Sequence, residues 1–328
     1  MMNALIEGIQ KNKFAVLGRA GMDMFADPIG VKSENASTFK ADLGGSSANI
    51  CVGLSKLGSY SALITSVSDD AVGRFCLNRL KYYGVDTQFV KYVSGEYRTS
   101  LAIYESCINN FQNVIYRNNA ADFQVTNEDI SRINYSDFGA LIATGTVLAC
   151  EPSRSATFLA FEKAKEAGLP IIFDIDYRPY SWSSPEIASD VLTQAGKQSD
   201  LLIGNDEEFD FMAGGIKKGL KVAERLVKNS ERIVIYKMGS EGAITFASGN
   251  EIRTGIFPAA PVKPNGAGDS FMAGLLSSIS EGRDLTEAIY RGSACAAIVV
   301  SKPGCAPAMP THDQLDAFMK KHPHPKRV

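Results

Sequence analysis

The chain has 328 residues, 45% of them hydrophobic and 21% charged, enough to bury a large core as one α/β unit or two smaller domains. Its formal net charge is −2, with acidic and basic residues interspersed throughout, so neither a nucleic acid nor a membrane surface is the expected partner. Six single cysteines without a Cys-x-x-Cys pair argue against zinc, and no stretch reaches the roughly 18 apolar residues of a membrane helix, so the sequence predicts a soluble, cytoplasmic protein with a small-molecule ligand.

The first apolar run, 14–17, reads as a strand and is followed by GRAGMD, in which Asp23 sits in a loop where a carboxylate can accept two hydrogen bonds from vicinal hydroxyls. Residues 25–43 break into extended alternating segments. Gly44-Gly45-Ser46-Ser47-Ala48-Asn49 then opens a helix; the glycines permit close backbone approach to a polar ligand and Asn49 offers both donor and acceptor, although a plain Ser-capped helix start explains the same residues. After a second strand at 62–67, residues 95–119 alternate again and contain Arg117. We read 25–43 and 95–119 together as a small β lid, the alternative being edge strands of the main sheet.

Strands at 140–144, 171–175, 201–203 and 233–236 alternate with helical patterns such as 153–168 and 217–229. That βαβ rhythm predicts a mostly parallel sheet with helices on both faces and ligands at the carboxyl ends of the strands. At those ends stand Asp176 and Arg178 in DIDYRPYSW; Arg178 and Arg117 suit an acidic substrate, or else each pairs with a structural Asp. Asn205 and Glu208 follow the 201–203 strand as N-x-x-E, a spacing that can hold hydrated magnesium through its water shell or form a capping box, or both. YKMGSEGA reads as a strand, a glycine turn and a strand; Lys237, Gly239 and Gly242 are one candidate wall of a nucleotide pocket, or simply a hairpin.

Residues 263–276, KPNGAGDSFMAGLL, empty a small-residue turn into an apolar helix. Gly266, Ala267 and Gly268 allow close approach to a ligand, and the helix start offers free N–H groups to an anion. Asp269 repels an anion there unless it removes a proton from the group that attacks it, which suggests phosphoryl transfer to a hydroxyl; a favourable first-turn acid is the bland alternative. The three histidines, His312, His322 and His324, lie near the end of the chain, so carboxylates carry any acid–base work. KKHPHPKRV reads as a loose tail.

The blocks GGSSAN, NDEE and GAGD, in that order within residues 14–319, resemble the ribokinase-like sugar kinases of the phosphofructokinase-B family. Within it, GRAGMD, YRNNAADF, ATGTVLACEPSR, DIDYRPYSW, SDLLIGNDEEFD and GSACAAIVVSKPGCAPAMPT most resemble the 5-dehydro-2-deoxygluconokinase branch of myo-inositol breakdown. The resemblance implies one kinase domain over 1–328, a three-layer α/β sandwich with a mostly parallel central sheet and a small β lid, and ATP with Mg2+ as co-substrates. It implies Asp269 as the base for a primary hydroxyl, the C6 hydroxyl in that branch, and Gly266, Ala267 and Gly268 as the anion hole. Asp23, Gly44, Gly45 and Asn49 fall on sugar-binding positions, Arg117 and Arg178 on positions that face an acid, and Asn205 with Glu208 on the magnesium and phosphate motif. A homo-oligomer, a dimer through the lid, is also implied. Other acceptors, among them 2-keto-3-deoxygluconate, fructose, ribose or a nucleoside, stay open, as does a non-catalytic sugar- or nucleotide-binding regulator. One departure stands out: many relatives carry Asp-Thr before the GAGD turn and use that Asp toward an activating potassium ion, whereas this chain has Lys263-Pro264-Asn265, a lysine that repels a monovalent cation and can replace its charge.

Overall fold

The computed structural model describes residues 2–105, 112–228 and 230–325. Residues 106–111 of the second lid segment, Asn229 at the end of the 217–229 pattern and the last three residues of the tail lie outside the described residues.

The short apolar runs pair into a nine-stranded sheet. Its spatial order is Asn250–Thr254, Ala243–Ala247, Ile233–Lys237, Leu201–Asn205, Ile171–Asp174, Ala140–Thr144, Lys13–Leu17, Tyr60–Ser68 and Val90–Val93. All neighbours are parallel except around Ala243–Ala247, which runs antiparallel to both of its partners. Side-chain alternation explains why these strands read as unbroken apolar runs: Phe14 and Val16 point into one core, Ala15 and Leu17 into the other, and Leu63 opposes Ala62 and Ile64 in the same way. Helices cover both faces, giving three layers. Lys13–Leu17 lies between the later strands Tyr60–Ser68 and Ala140–Thr144, so the sheet order reverses there and a crevice opens past its carboxyl end.

The alternating segments form a separate four-stranded sheet, ordered Thr38–Gly44, Gly21–Asp27, Ser100–Tyr104, Asn113–Tyr116, and not edge strands of the large one. The two outer strands are largely exposed, a pattern that a strand buried on both faces cannot carry. This sheet is the small β lid. Its first strand starts at Gly21, so Asp23 is a strand residue opposite Asp42 and Ala102, and not a loop residue as expected. The extended run simply begins one turn of alternation earlier than its apolar residues announce.

The helix Ala267–Ser280 is buried from Ser270 to Ile279, packed between the helices Ser46–Lys56 and Leu285–Val300. Each of its buried Phe, Met, Leu and Ile side chains contributes about 1.5–3 kcal/mol by leaving water, which fixes the first turn of this helix at the crevice.

Candidate active site

Gly266 caps the Ala267–Ser280 helix in the left-handed region, φ 83°, a conformation in which a side chain is strained. The Ser270 N–H turns back to the Gly266 carbonyl at 3.0 Å, so the N–H groups of Ala267, Gly268 and Asp269 have no partner within the helix. A Cβ on Gly268 would stand 3.2 Å from the Lys237 Nζ, which puts an ammonium beside these free donors. The helix N-terminus and Lys237 together suit an anion.

Around that turn lies a cavity of about 330 Å³ lined by Asp174, Asp176, Glu208, Asp269, Lys237 and Arg178. Four carboxylates face two cations. Burial, then Asp176 and Asp174, push Asp269 up to about 7, against the hydrogen bond from Asn49 and the charge of Arg178. Glu208 also rises to about 7, through burial and then Asp174. Burial and Asp176 raise Asp174 as well, while Lys237 opposes the shift. Asp176, in the left-handed region at φ 36°, binds the Arg178 Nη2 at 2.6 Å and accepts from the Ser46 hydroxyl at 2.6 Å.

Asn205 and Glu208 form a reciprocal capping box: the Glu208 N–H donates to the Asn205 Oδ1 at 2.8 Å and the Asn205 N–H to the Glu208 Oε2 at 2.8 Å. Both also line the cavity. The oxygen donors of Asn205, Glu208 and Asp174 around this cavity suit a hard cation that keeps part of its own water shell. Gly239 and Gly242 turn between Ile233–Lys237 and Ala243–Ala247 and line the same cavity beside Lys237.

A second cavity, about 560 Å³, meets the first at Arg178, Pro264 and Asp269 and reaches the lid. Asp23, Asn49 and Gly45 line it. Asp23 is 2% exposed and burial raises it to about 6 despite the nearby charge of Arg19. Its Oδ1 and the Oδ1 of Asn49 are buried without a hydrogen-bond partner, while the Asn49 Nδ2 donates to the Asp269 Oδ2 at 2.9 Å. Gly44 acts indirectly: a Cβ there would fall 1.9 Å from the Asp23 Oδ1, so this glycine makes room for the carboxylate and not for a ligand. The Gly45 φ of 100° turns the chain from lid strand to helix.

Arg117 lines this cavity with its charge already matched. It forms a buried ion pair with Asp122, donates to the Thr146 carbonyl at 3.1 Å and stacks on Phe123 at 4.2 Å. The sequence contains that partner five residues away, in RNNAAD. Lys263 is 2% exposed; its Nζ donates to the backbone carbonyls of Asn265, at 2.6 Å, and Val299, at 3.3 Å, so an ammonium sits under the turn, at the carboxyl end of the Leu285–Val300 helix. Burial lowers its proton affinity, while Cys305, Asp269 and Asp23 hold it up. Arg19, Asp174 and Tyr104 also face the site and were not singled out from the sequence; only Asp174, in D-x-D at a strand end, left a local signal.

The pattern of the pfkB family carbohydrate kinase matches residues 11–312. A 5-dehydro-2-deoxygluconokinase from Geobacillus thermodenitrificans is 37% identical over 312 residues, covering 94% of this chain and 93% of its own. Among solved structures, a fructokinase double mutant from Vibrio cholerae O395 with fructose, ADP and a potassium ion bound is 25% identical, with TM-score 0.80, covering 94% of this chain and 98% of that one. A fructokinase from Xylella fastidiosa with bound ATP, 21% identical, has TM-score 0.84 over 95% of this chain and 99% of its own, a likeness of fold.

Proposed function

The chain belongs to the pfkB family of carbohydrate kinases and is an ATP-dependent carbohydrate kinase; from that premise we propose that its acceptor is the sugar acid 5-dehydro-2-deoxy-D-gluconate, phosphorylated on the C6 hydroxyl within inositol breakdown. The observation that carries this reading is a polar cavity lined by Asp23, Asn49 and three arginines that ends at Asp269. A carboxylate and a side-chain amide in such a lining can exchange hydrogen bonds with the hydroxyls of a sugar. The arginines suit its carboxylate.

In the proposed reaction the acceptor oxygen bonds to the γ-phosphorus, the bond from that phosphorus to the β,γ-bridging oxygen breaks, and ADP leaves. Asp269 takes the hydroxyl proton. The N–H groups of Ala267 and Gly268, with Lys237, stabilise charge on the transferred group, so the work is chiefly positioning and electrostatics. Mg2+, when bound, would neutralise phosphate charge; Asn205, Glu208 and Asp174 are the residues that would hold its water shell. Tyr177, whose N–H donates to the Glu208 Oε1 at 3.2 Å, fixes that carboxylate. A dimer through the lid is part of the same proposal and rests on the family resemblance alone.

The test is an acceptor panel followed by ADP release, with the product's phosphate position read by NMR. The expected result is the highest kcat/KM for 5-dehydro-2-deoxy-D-gluconate and a 6-phosphate product. A higher kcat/KM for fructose, ribose or a nucleoside overturns the proposal.

A further inference from the structure

Three arginines line the acceptor cavity, and two of them are spoken for. Arg117 holds Asp122, and Arg178 holds Asp176 while donating to the Tyr177 carbonyl at 2.9 Å. Arg19 differs. It is 7% exposed, yet among the described residues it makes one hydrogen bond, from Nη1 to the Ser100 hydroxyl at 2.7 Å, and has no carboxylate within 4.0 Å. The Arg117 Nε is sealed in the protein without a partner, but no nitrogen of Arg19 is so sealed, and its remaining N–H groups open on the cavity. A guanidinium carries five donors in a fork that matches a carboxylate.

The surroundings of Arg19 are shaped to hold it. Gly21 pairs in register with Ser100, and a Cβ on Gly21 would lie 2.7 Å from both the Arg19 Nη1 and the Ser100 hydroxyl. The missing side chain therefore clears the space in which the guanidinium lies, and Ser100 fixes one arm of the fork. Asp23 and Asp122 lie near enough to steady the Arg19 charge but neither pairs with it directly, so the open arm of the fork is free to take an anion from outside the chain. The transferred phosphate belongs to the far cavity, on the other side of Asp269. The anion that reaches Arg19 is then part of the acceptor.

We propose that Arg19 is the specificity residue that receives the carboxylate of the acceptor, with Arg117 a structural neighbour held by Asp122. This rests on the acid-acceptor reading above and sharpens it. It assigns acid-versus-neutral discrimination to one residue on the lid strand's approach, and it makes Asp23, close by, the partner of the hydroxyls and not of Arg19.

The probes are D-gluconate and D-glucitol, which differ only by carboxylate against CH2OH at one end, used as competitive inhibitors against the best acceptor of the panel. In the wild type D-gluconate is expected to bind more tightly than D-glucitol. If it does not, the acid-acceptor reading itself falls, before any variant is made. In Arg19→Met the ratio of the two inhibition constants is expected to shrink at least ~10-fold, the low end for a hydrogen-bonded charge, with the KM for ATP little changed. An unchanged ratio, or equal weakening of both inhibitors, overturns the assignment while leaving the acid reading standing. Arg19→Lys keeps the charge and loses the fork, so it stays informative if the Met variant fails to fold. Its ratio is expected between those of wild type and Met, and a ratio equal to wild type overturns the forked contact.

Discussion

The two cavities on either side of Asp269 are charged differently, one with carboxylates in excess and the other balanced between arginines and carboxylates. On the nucleotide side, the strand ends Ile171–Asp174 and Leu201–Asn205 deliver Asp174, Asp176 and Glu208 against Lys237 and Arg178. On the side proposed for the acceptor, the lid and the switch-point strand deliver Arg19, Arg117 and Asp23, and Arg178, Glu207 and Asp269 complete the charged lining. A polyphosphate entering the acidic side needs a divalent cation as intermediary, whereas a carboxylate entering the other meets arginine directly. If the acceptor is an acid as proposed, the two anionic substrates are told apart by how their charge is met, with Asp269 the carboxylate that lines both cavities beside Arg178 and Pro264.

The largest effect is expected at that shared group. Replacing Asp269 by Asn should lower kcat by at least ~10²-fold, the low end of general-base contributions, as measured by ADP release, with the KM for ATP little altered. Near-normal turnover would remove the boundary between the two sides. The same variant should melt at a higher temperature than wild type at pH 8. Asp269 and Glu208 are raised in the folded protein to about 7 from ordinary values near 4, so the native state holds their protons more tightly, and stability is lost as pH rises from about 4 through 7. A neutral Asn escapes that loss, and the difference should vanish toward pH 4.

A smaller effect follows in the pH profile of kcat/KM, which should rise about tenfold between pH 6 and pH 8 as Asp269 loses its proton near 7. A flat profile would mean that the acidic side does not act on the base. The smallest expected effect is that of monovalent cations: swapping sodium for potassium at fixed ionic strength should change the rate less than about twofold, because the Lys263 ammonium already sits on the Asn265 and Val299 carbonyls. A strong potassium activation would refute this.

The acidic side was far more legible in the sequence than the arginine side, for a physical reason. A helix start carries its signature locally: Gly266 to Asp269 and Asn205 to Glu208 are contiguous, and their roles as turn, donors and cap follow from spacing. The parallel sheet was equally readable, since buried strands such as 140–144 are apolar throughout. Arg19 stands in a quoted motif and still gave no sign, because being buried and having no carboxylate paired directly with it are properties of the assembled lid, set by Ser100 and Gly21. Gly44 misled in the other direction, since a glycine needed for a neighbouring carboxylate looks like one needed for a ligand.

One junction ties the two halves mechanically. The lid strand Thr38–Gly44 becomes, after Gly45, the helix Ser46–Lys56, whose first turn reaches two carboxylates of the crevice: Ser46 bonds Asp176 and Asn49 bonds Asp269. A swing of the roof would load these two bonds together with the Arg79–Asp42 ion pair that ties the same strand. Since the Asn49 bond lowers the proton affinity of Asp269, its rupture makes the base more reluctant to ionise, and the posture of the roof is written into the acidity of the group beneath it.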